Sequence, residues 1–187
     1  MGKLQSFTFL TLNGFYKGPQ EDISWHKDGD AQKNDYAKEG AQSESVLIFG
    51  RVTYEMMASF WPGQQAAQLM PEIAEGMNRS EKIVFSKTLK KADWNNTRII
   101  AGPLGEEIKK LKAAANKSYT ILGSGSIVSQ LAGLGLIDQF QFMVDPVVIA
   151  NGTPIFNDIK TKLDLTLTDS KIFKSGVLLL TYQPAKK

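Results

Sequence analysis

From Phe7 to Leu12 the chain alternates apolar and hydroxyl side chains, which predicts an amino-terminal β-strand of period two. Asn13-Gly14 ends it, and the stretch from Lys17 to Asp30, with Gly18, Pro19 and Gly29 among several acids, predicts a long loop. A helix is expected from Ala31 to Ser43. Val46-Leu47-Ile48-Phe49 is a short, wholly apolar run closed by Gly50, the pattern of a strand buried on both faces. Val52, Met56 and Phe60 then recur at every fourth residue and predict a helix from Arg51 to Phe60. Pro62-Gly63 stops it, and one further helix is expected from Ala66 towards Met77. Strands follow at 82–85, 97–100 and 119–122, with helices from Leu104 to Ala114 and from the Gly123-Ser124-Gly125-Ser126 turn to Leu131. Beyond Asp138 the pattern changes to consecutive strands: 139–149, 163–173 and 176–182. Alternating strands and helices imply a parallel sheet covered on both faces, and the last strands add antiparallel edges to that sheet.

Composition narrows the class. The chain has 187 residues, 42% of them hydrophobic and 22% charged, which fits one domain over 1–187 with one core. No apolar run is long enough for a membrane span. The chain opens on a strand pattern with no signal-peptide core, so a cytoplasmic location is expected. With no cysteine and a single histidine, His26, thiolate and multi-histidine metal sites are excluded, and no metal is expected. A net charge of +3 with dispersed Lys and Arg gives no basic block for nucleic acid.

Three strand exits carry the candidate chemistry: Gly50-Arg51-Val52-Thr53, Phe85-Ser86-Lys87-Thr88 and Gly123-Ser124-Gly125-Ser126. In a parallel sheet such turns lie at the carboxyl edge, where ligands bind. Helix amino termini there offer free N–H groups and partial positive charge to a phosphate. Arg51 and Lys87 add charge; Thr53, Ser86, Ser124 and Ser126 add hydroxyls. The third turn lacks both the full dinucleotide fingerprint and the Walker lysine. The loop between the first strand and first helix holds Trp25 and His26 among Asp22, Asp28, Asp30 and Asp35. A carboxylate packed against Trp25 there is a candidate proton donor; the alternative is a solvated loop pinned by the tryptophan.

Four segments in order resemble the dihydrofolate-reductase superfamily, and within it the reductase domain of the bifunctional riboflavin-biosynthesis deaminase-reductase and its stand-alone relatives. They are Leu12-Asn13-Gly14-Phe15; Gly50-Arg51-Val52-Thr53-Tyr54-Glu55; Lys82 to Leu89; and Ile121 to Gly125, with Gly135-Leu136-Ile137-Asp138, Pro146 and Gly152-Thr153-Pro154-Ile155-Phe156 following. The resemblance implies a dihydrofolate-reductase-like three-layer α/β/α fold and NADPH as cofactor. Gly50, Arg51 and Thr53 would hold the diphosphate, and Ser86 and Lys87 the adenosine end with its 2′-phosphate. Gly123, Ser124, Gly125, Ser126 and Ile127 would lie against the diphosphate and nicotinamide ribose, with Leu12, Asn13, Gly14 and Phe15 lining the nicotinamide. Trp25, Asp30 and Asp35 are the substrate-side candidates. The implied activity is that of a 5-amino-6-(5-phosphoribosylamino)uracil reductase; the alternatives are a pterin or other small-molecule reductase, or a non-catalytic nucleotide-binding protein. Two departures bear on this: Asn13 stands where relatives carry aspartate, and Ser124 replaces one of a glycine pair. A homodimer is expected by resemblance, with the apolar stretch Phe140–Ile149 either a core strand or part of its interface.

Overall fold

The computed structural model describes residues 2–27, 29–114 and 117–185; Asp28, among the loop carboxylates, lies outside them. Its elements run β1 (Lys3–Thr11), β2 (Phe15–Lys17), α1 (Ala31–Gln42), β3 (Val46–Gly50), α2 (Arg51–Phe60), α3 (Gln64–Leu69), α4 (Pro71–Arg79), β4 (Lys82–Phe85), β5 (Thr97–Ile100), α5 (Leu104–Ala114), β6 (Ser118–Leu122), α6 (Gly125–Gly133), β7 (Gln139–Asp145), β8 (Thr153–Pro154), β9 (Leu165–Ile172) and β10 (Leu178–Pro184). The main sheet has the order β5-β4-β3-β6-β1-β7-β10-β9, and β2 and β8 form a separate ribbon. Neighbours from β5 across to β7 run parallel. β10 pairs antiparallel with β7 and with β9, as expected for the carboxyl-terminal strands.

The apolar run of β3 shows why the sheet must be covered twice. Val46 and Ile48 enter a core with Ile108 of α5 and Val128 and Leu131 of α6. Leu47 and Phe49 enter another with Tyr54 of α2 and Ile73 and Met77 of α4. Successive side chains of a strand point to opposite faces, so an unbroken apolar strand needs a layer on each. α1 covers the end of the second face, where its Tyr36 meets the cluster of Met143, Phe173, Val177 and Leu179. α1 and α4 cross so closely that a Cβ on Gly76 would stand 2.2 Å from the Ala41 carbonyl oxygen.

Three expectations change. The helix expected from Ala66 towards Met77 is two helices, because Pro71 begins α4 and forces Met70 out of helical geometry (φ −142°, ψ 61°). β1 begins at Lys3, since its polar first half is laddered to β6 from Lys3↔Ser118 onwards. β7 stops at Asp145 instead of Ile149, because Pro146 has no N–H for the ladder. Paired on both sides with Phe140, Phe142 and Met143 buried, β7 is a core strand, so that part of the Phe140–Ile149 stretch offers no surface for an interface.

One buried cation holds the α4–β4 corner. Lys82 is 1% exposed; its ammonium donates to the carbonyls of Asn78, Ser80 and Asn95 at 3.2, 2.6 and 3.0 Å and lies over the Trp94 ring. The Asn78 and Ser80 carbonyls at the end of α4 have no helical partner, and Lys82 ties them to the Asn95 carbonyl of the loop before β5. Burial lowers its pKa from 10.5 to about 8, so at neutral pH the proton stays on. Lys82→Met is expected to cost about 1–3 kcal/mol in denaturant unfolding by stranding these acceptors. Folding lowers this pKa, so between about pH 8 and 10.5 the unfolded chain holds more proton at Lys82 than the folded one. The wild type should therefore gain stability with rising pH there, by at most about 1.4 kcal/mol per pH unit, and Lys82→Met should lack that gain.

Candidate active site

Because β1, β3, β4, β5, β6 and β7 run parallel, their carboxyl ends lie along one edge of the sheet. A cleft of about 430 Å³ opens there, lined by Gly50, Arg51, Ser86, Lys87, Ser126 and Ile127 together with the 100–104 turn and Gln130. Six residues expected to touch the cofactor, from three strand exits far apart in sequence, thus share one cavity. The amino termini of α2, α5 and α6 all open on it. Neither Gly50 before α2 nor Ser124 before α6 caps its helix through a side chain, which leaves first-turn N–H groups for a ligand.

A groove of about 490 Å³ at the opposite edge contrasts with it. There α1 and α4 end, presenting the negative poles of their dipoles, and Lys117 pairs with Glu81 at 2.8 Å. The helix dipoles thus favour an anion at the first edge over this one, although Arg79 also lines the groove.

Ser124 joins two of the strand exits. It is 5% exposed and left-handed (φ 50°, ψ 54°), and its hydroxyl accepts from the Gly50 N–H at 3.0 Å while donating to the Leu122 carbonyl at 3.2 Å. The serine in place of glycine therefore costs some backbone strain and supplies a cross-brace. Gly123 (φ 56°) precedes it, where a Cβ would stand 3.5 Å from the Thr53 methyl, so Thr53 lies beside this turn. Arg51 forms a half-exposed pair with Glu55 at 2.7 Å, weak enough to be exchanged for a phosphate. The Ser86 hydroxyl accepts from the N–H groups of Thr88 and Leu89, shaping the turn that carries the exposed Lys87.

The exit of β1 is built as a tight turn. Gly14 has φ 84°, and its N–H donates to the Thr11 carbonyl. Asn13 donates to the Ile149 carbonyl at 2.8 Å and accepts from the Thr11 hydroxyl, so its amide braces the turn; Leu12 stays exposed. Phe15 pairs with Pro154 in the β2–β8 ribbon. The next ring, Tyr16, lies so close over Gly125 that a Cβ there would be 2.4 Å from its Cε1. This contact brings the β1 exit to the start of α6.

The substrate-side residues are not gathered as expected. Asp30 caps α1, accepting from the N–H groups of Gln32 and Lys33, and its other oxygen accepts from the Ser175 N–H at 2.8 Å. That last bond, foremost, holds its carboxyl below the usual carboxylate range, which suits a cap and not a proton donor. Asp35 is exposed on α1. His26 stacks on Phe9 of β1 at 4.4 Å and so holds the loop to the sheet, while Trp25 stands edge-on to His26. Three residues that the sequence reading did not single out are here: Tyr16, the buried Lys33 of α1 and the buried Asp145 ending β7. A carboxylate closing an apolar strand just before a proline was the available signal for Asp145.

A parallel-cored sheet with two antiparallel carboxyl-terminal strands, helices on both faces and a phosphate-suited cleft at the carboxyl edge defines a dihydrofolate-reductase-like α/β protein. The chain belongs to the RibD C-terminal domain family, whose sequence model matches residues 2–179. It is 28% identical over 174 residues to the uncharacterized protein YyaP of Bacillus subtilis, covering 92% of this chain and 90% of that one. A putative riboflavin biosynthesis protein from Shewanella superposes with a TM-score of 0.76 at 18% identity, covering 98% of this chain and 99% of its own. Dihydrofolate reductase from Enterococcus faecalis, complexed with NADP(H), superposes at 0.66 with 15% identity, over 98% and 97% of the chains. Among the described residues no helix is long and apolar enough to cross a membrane, and no group of His, Asp and Glu is placed to hold a metal.

Ser124→Ala keeps the left-handed backbone but removes the acceptor for the Gly50 N–H. It is expected to lower unfolding free energy by about 1–3 kcal/mol in a urea titration.

Proposed function

We propose that this protein is an NADPH-dependent reductase of a small heterocycle, nearest in chemistry to the reduction of a ribosylaminopyrimidine. The observation that carries the reading is the convergence of three helix amino termini, Arg51 and Lys87 on one cleft of about 430 Å³ at the carboxyl edge. The cleft is of a size that takes part of a dinucleotide. Family membership and the resemblance to riboflavin-biosynthesis reductases support the same choice.

In this reading Gly50, Arg51 and Thr53 bind the diphosphate, with the first-turn N–H groups of α2 and α6 as further donors. Gly123, Ser124, Gly125, Ser126 and Ile127 form the wall against the diphosphate and ribose. Ser86 and Lys87 take the adenosine end, Lys87 pairing with a 2′-phosphate. Leu12, Asn13, Gly14 and Phe15 line the nicotinamide side, and the brace from Asn13 to Ile149 keeps that turn rigid. Bound NADPH supplies a hydride; the chain orients the acceptor carbon towards it. For a ribosylaminopyrimidine that carbon is the sugar C1′; hydride adds there as its bond to the ring oxygen breaks, and that oxygen takes a proton. Trp25 stays in the proposal as a wall of the substrate side, while Asp30 and Asp35 do not, given the cap and the solvent they face. A homodimer and a cytoplasmic location belong to the same proposal.

Calorimetric titration with NADPH and with NADH tests it. Saturable binding that prefers NADPH is expected, and Arg51→Ala should weaken it roughly ten- to a hundredfold, the range for a lost charge-assisted phosphate contact. Failure of both nucleotides to bind would overturn the cofactor assignment. Binding without NADPH consumption across ribosylaminopyrimidines and pterins would instead favour the non-catalytic reading.

A further inference from the structure

Two buried charged side chains of opposite sign grip the main chain of one loop residue. Lys33, in the first turn of α1, is 8% exposed, and Asp145, the last residue of β7, is 0% exposed. The Lys27 N–H donates to Asp145 Oδ1 at 2.7 Å, and the Lys27 carbonyl accepts from the Lys33 ammonium. Lys33 Nζ also lies 5.2 Å from the centre of the Phe9 ring, on which His26 stacks, with Trp25 against His26. The β1–β7 register sets Thr11 beside Asp145 and Phe9 beside Met143. Both charges therefore sit at the carboxyl edge, next to the turn proposed to line the nicotinamide.

Holding a loop requires neither charge. Neutral groups would hold it by weaker hydrogen bonds but without the desolvation that a buried ammonium and a buried carboxylate entail. Among the described residues Lys33 has no carboxylate within ion-pair distance, so in this state its charge is answered by a carbonyl and a ring face. A fixed donor beside a fixed acceptor, each charged, suits a polar ligand that arrives with the matching edge. The Lys27 N–H and carbonyl already present such an edge.

We propose that Lys33 and Asp145 are the substrate-anchoring pair of this site, occupied in the free protein by the Lys27 main chain. Substrate enters by replacing the Lys27 N–H and carbonyl with a ring N–H and carbonyl of its own. The ligand class is a heterocycle with a lactam or imide edge, its N–H on Asp145 and its oxygen on Lys33. The segment from Asp22 to Lys27, carrying Trp25 and His26, lifts off Phe9 as the exchange occurs. The inference rests on the reductase reading for the identity of the site, but the two contacts are tested without cofactor.

The experiment is hydrogen–deuterium exchange over residues 22–27, with calorimetric titration of 6-aminouracil, on the wild type, Lys33→Met, Lys33→Arg and Asp145→Asn. Lys33→Met and Asp145→Asn are expected to speed exchange in the segment about tenfold or more and to weaken 6-aminouracil by a similar factor, while Lys33→Arg stays near the wild type. Unchanged exchange in both Lys33→Met and Asp145→Asn would overturn the latch. Unchanged or tighter 6-aminouracil binding in those two, no binding to the wild type, or a loss in Lys33→Arg as large as in Lys33→Met would overturn the anchoring role. NADPH titrated separately keeps the two readings apart: a wild type that takes no NADPH defeats the reductase assignment and leaves the exchange result standing.

Discussion

The parallel pairing of β1 with β6 on one side and β7 on the other governs everything else in the molecule. A strand bonded on both edges and buried on both faces must satisfy every backbone group within the sheet, which leaves no freedom of register. That pairing carries the exits of β1, β6 and β7 to one edge, and β3, β4 and β5 extend the same edge through β6. The helix that follows each of β3, β5 and β6 starts at that edge, so the positive poles of α2, α5 and α6 meet where the strands end. The cleft and its electrostatics are thus consequences of strand direction, and Arg51 and Lys87 reinforce a field that the backbone already makes.

Around that frame the chain uses short polar braces in place of long hydrophobic ones. Ser124 ties the β6 exit to the β3 exit, Asn13 ties the β1 exit to residue 149, and Asp30 ties α1 to the β9–β10 hairpin. Each brace satisfies a main-chain N–H or carbonyl that would otherwise be stranded at the rim of the sheet. Two lysines are buried for comparable reasons at opposite edges: Lys82 answers carbonyls at the end of α4, and Lys33 answers one in the loop over β1. The difference is in their surroundings. Lys82 has three carbonyl acceptors and a tryptophan face within a fixed corner, while Lys33 reaches a loop residue beside an open cleft edge.

Much of this was legible in the chain before folding. The apolar run at 46–49 declared a doubly covered strand, and alternation of strand with helix declared a parallel sheet. The polar exits at Gly50, Ser86 and Gly123 declared a phosphate-suited edge, because strand period and helix start signals depend only on neighbours in sequence. Proline marked boundaries that apolar periodicity missed: Pro71 divided a helix and Pro146 cut short a strand, since a missing N–H outweighs a hydrophobic pattern. The loop between β1 and α1 was read less well. A carboxylate beside Trp25 looked like an acid, yet Asp30 sits at a helix start and is bound by the Ser175 N–H from another part of the chain.

By itself, then, the sequence determined the element order, the two-sided burial of the central strands and the residue types at each strand exit. These follow from local spacing and from the need to bury apolar side chains. Only the tertiary structure decided which exits share a cleft, that Ser124 braces instead of contributing a bare glycine turn, and that Lys33 and Asp145 converge on Lys27. Those facts depend on strand register and on contacts between residues more than a hundred positions apart, as with Lys27 and Asp145, and no local pattern encodes such a distance.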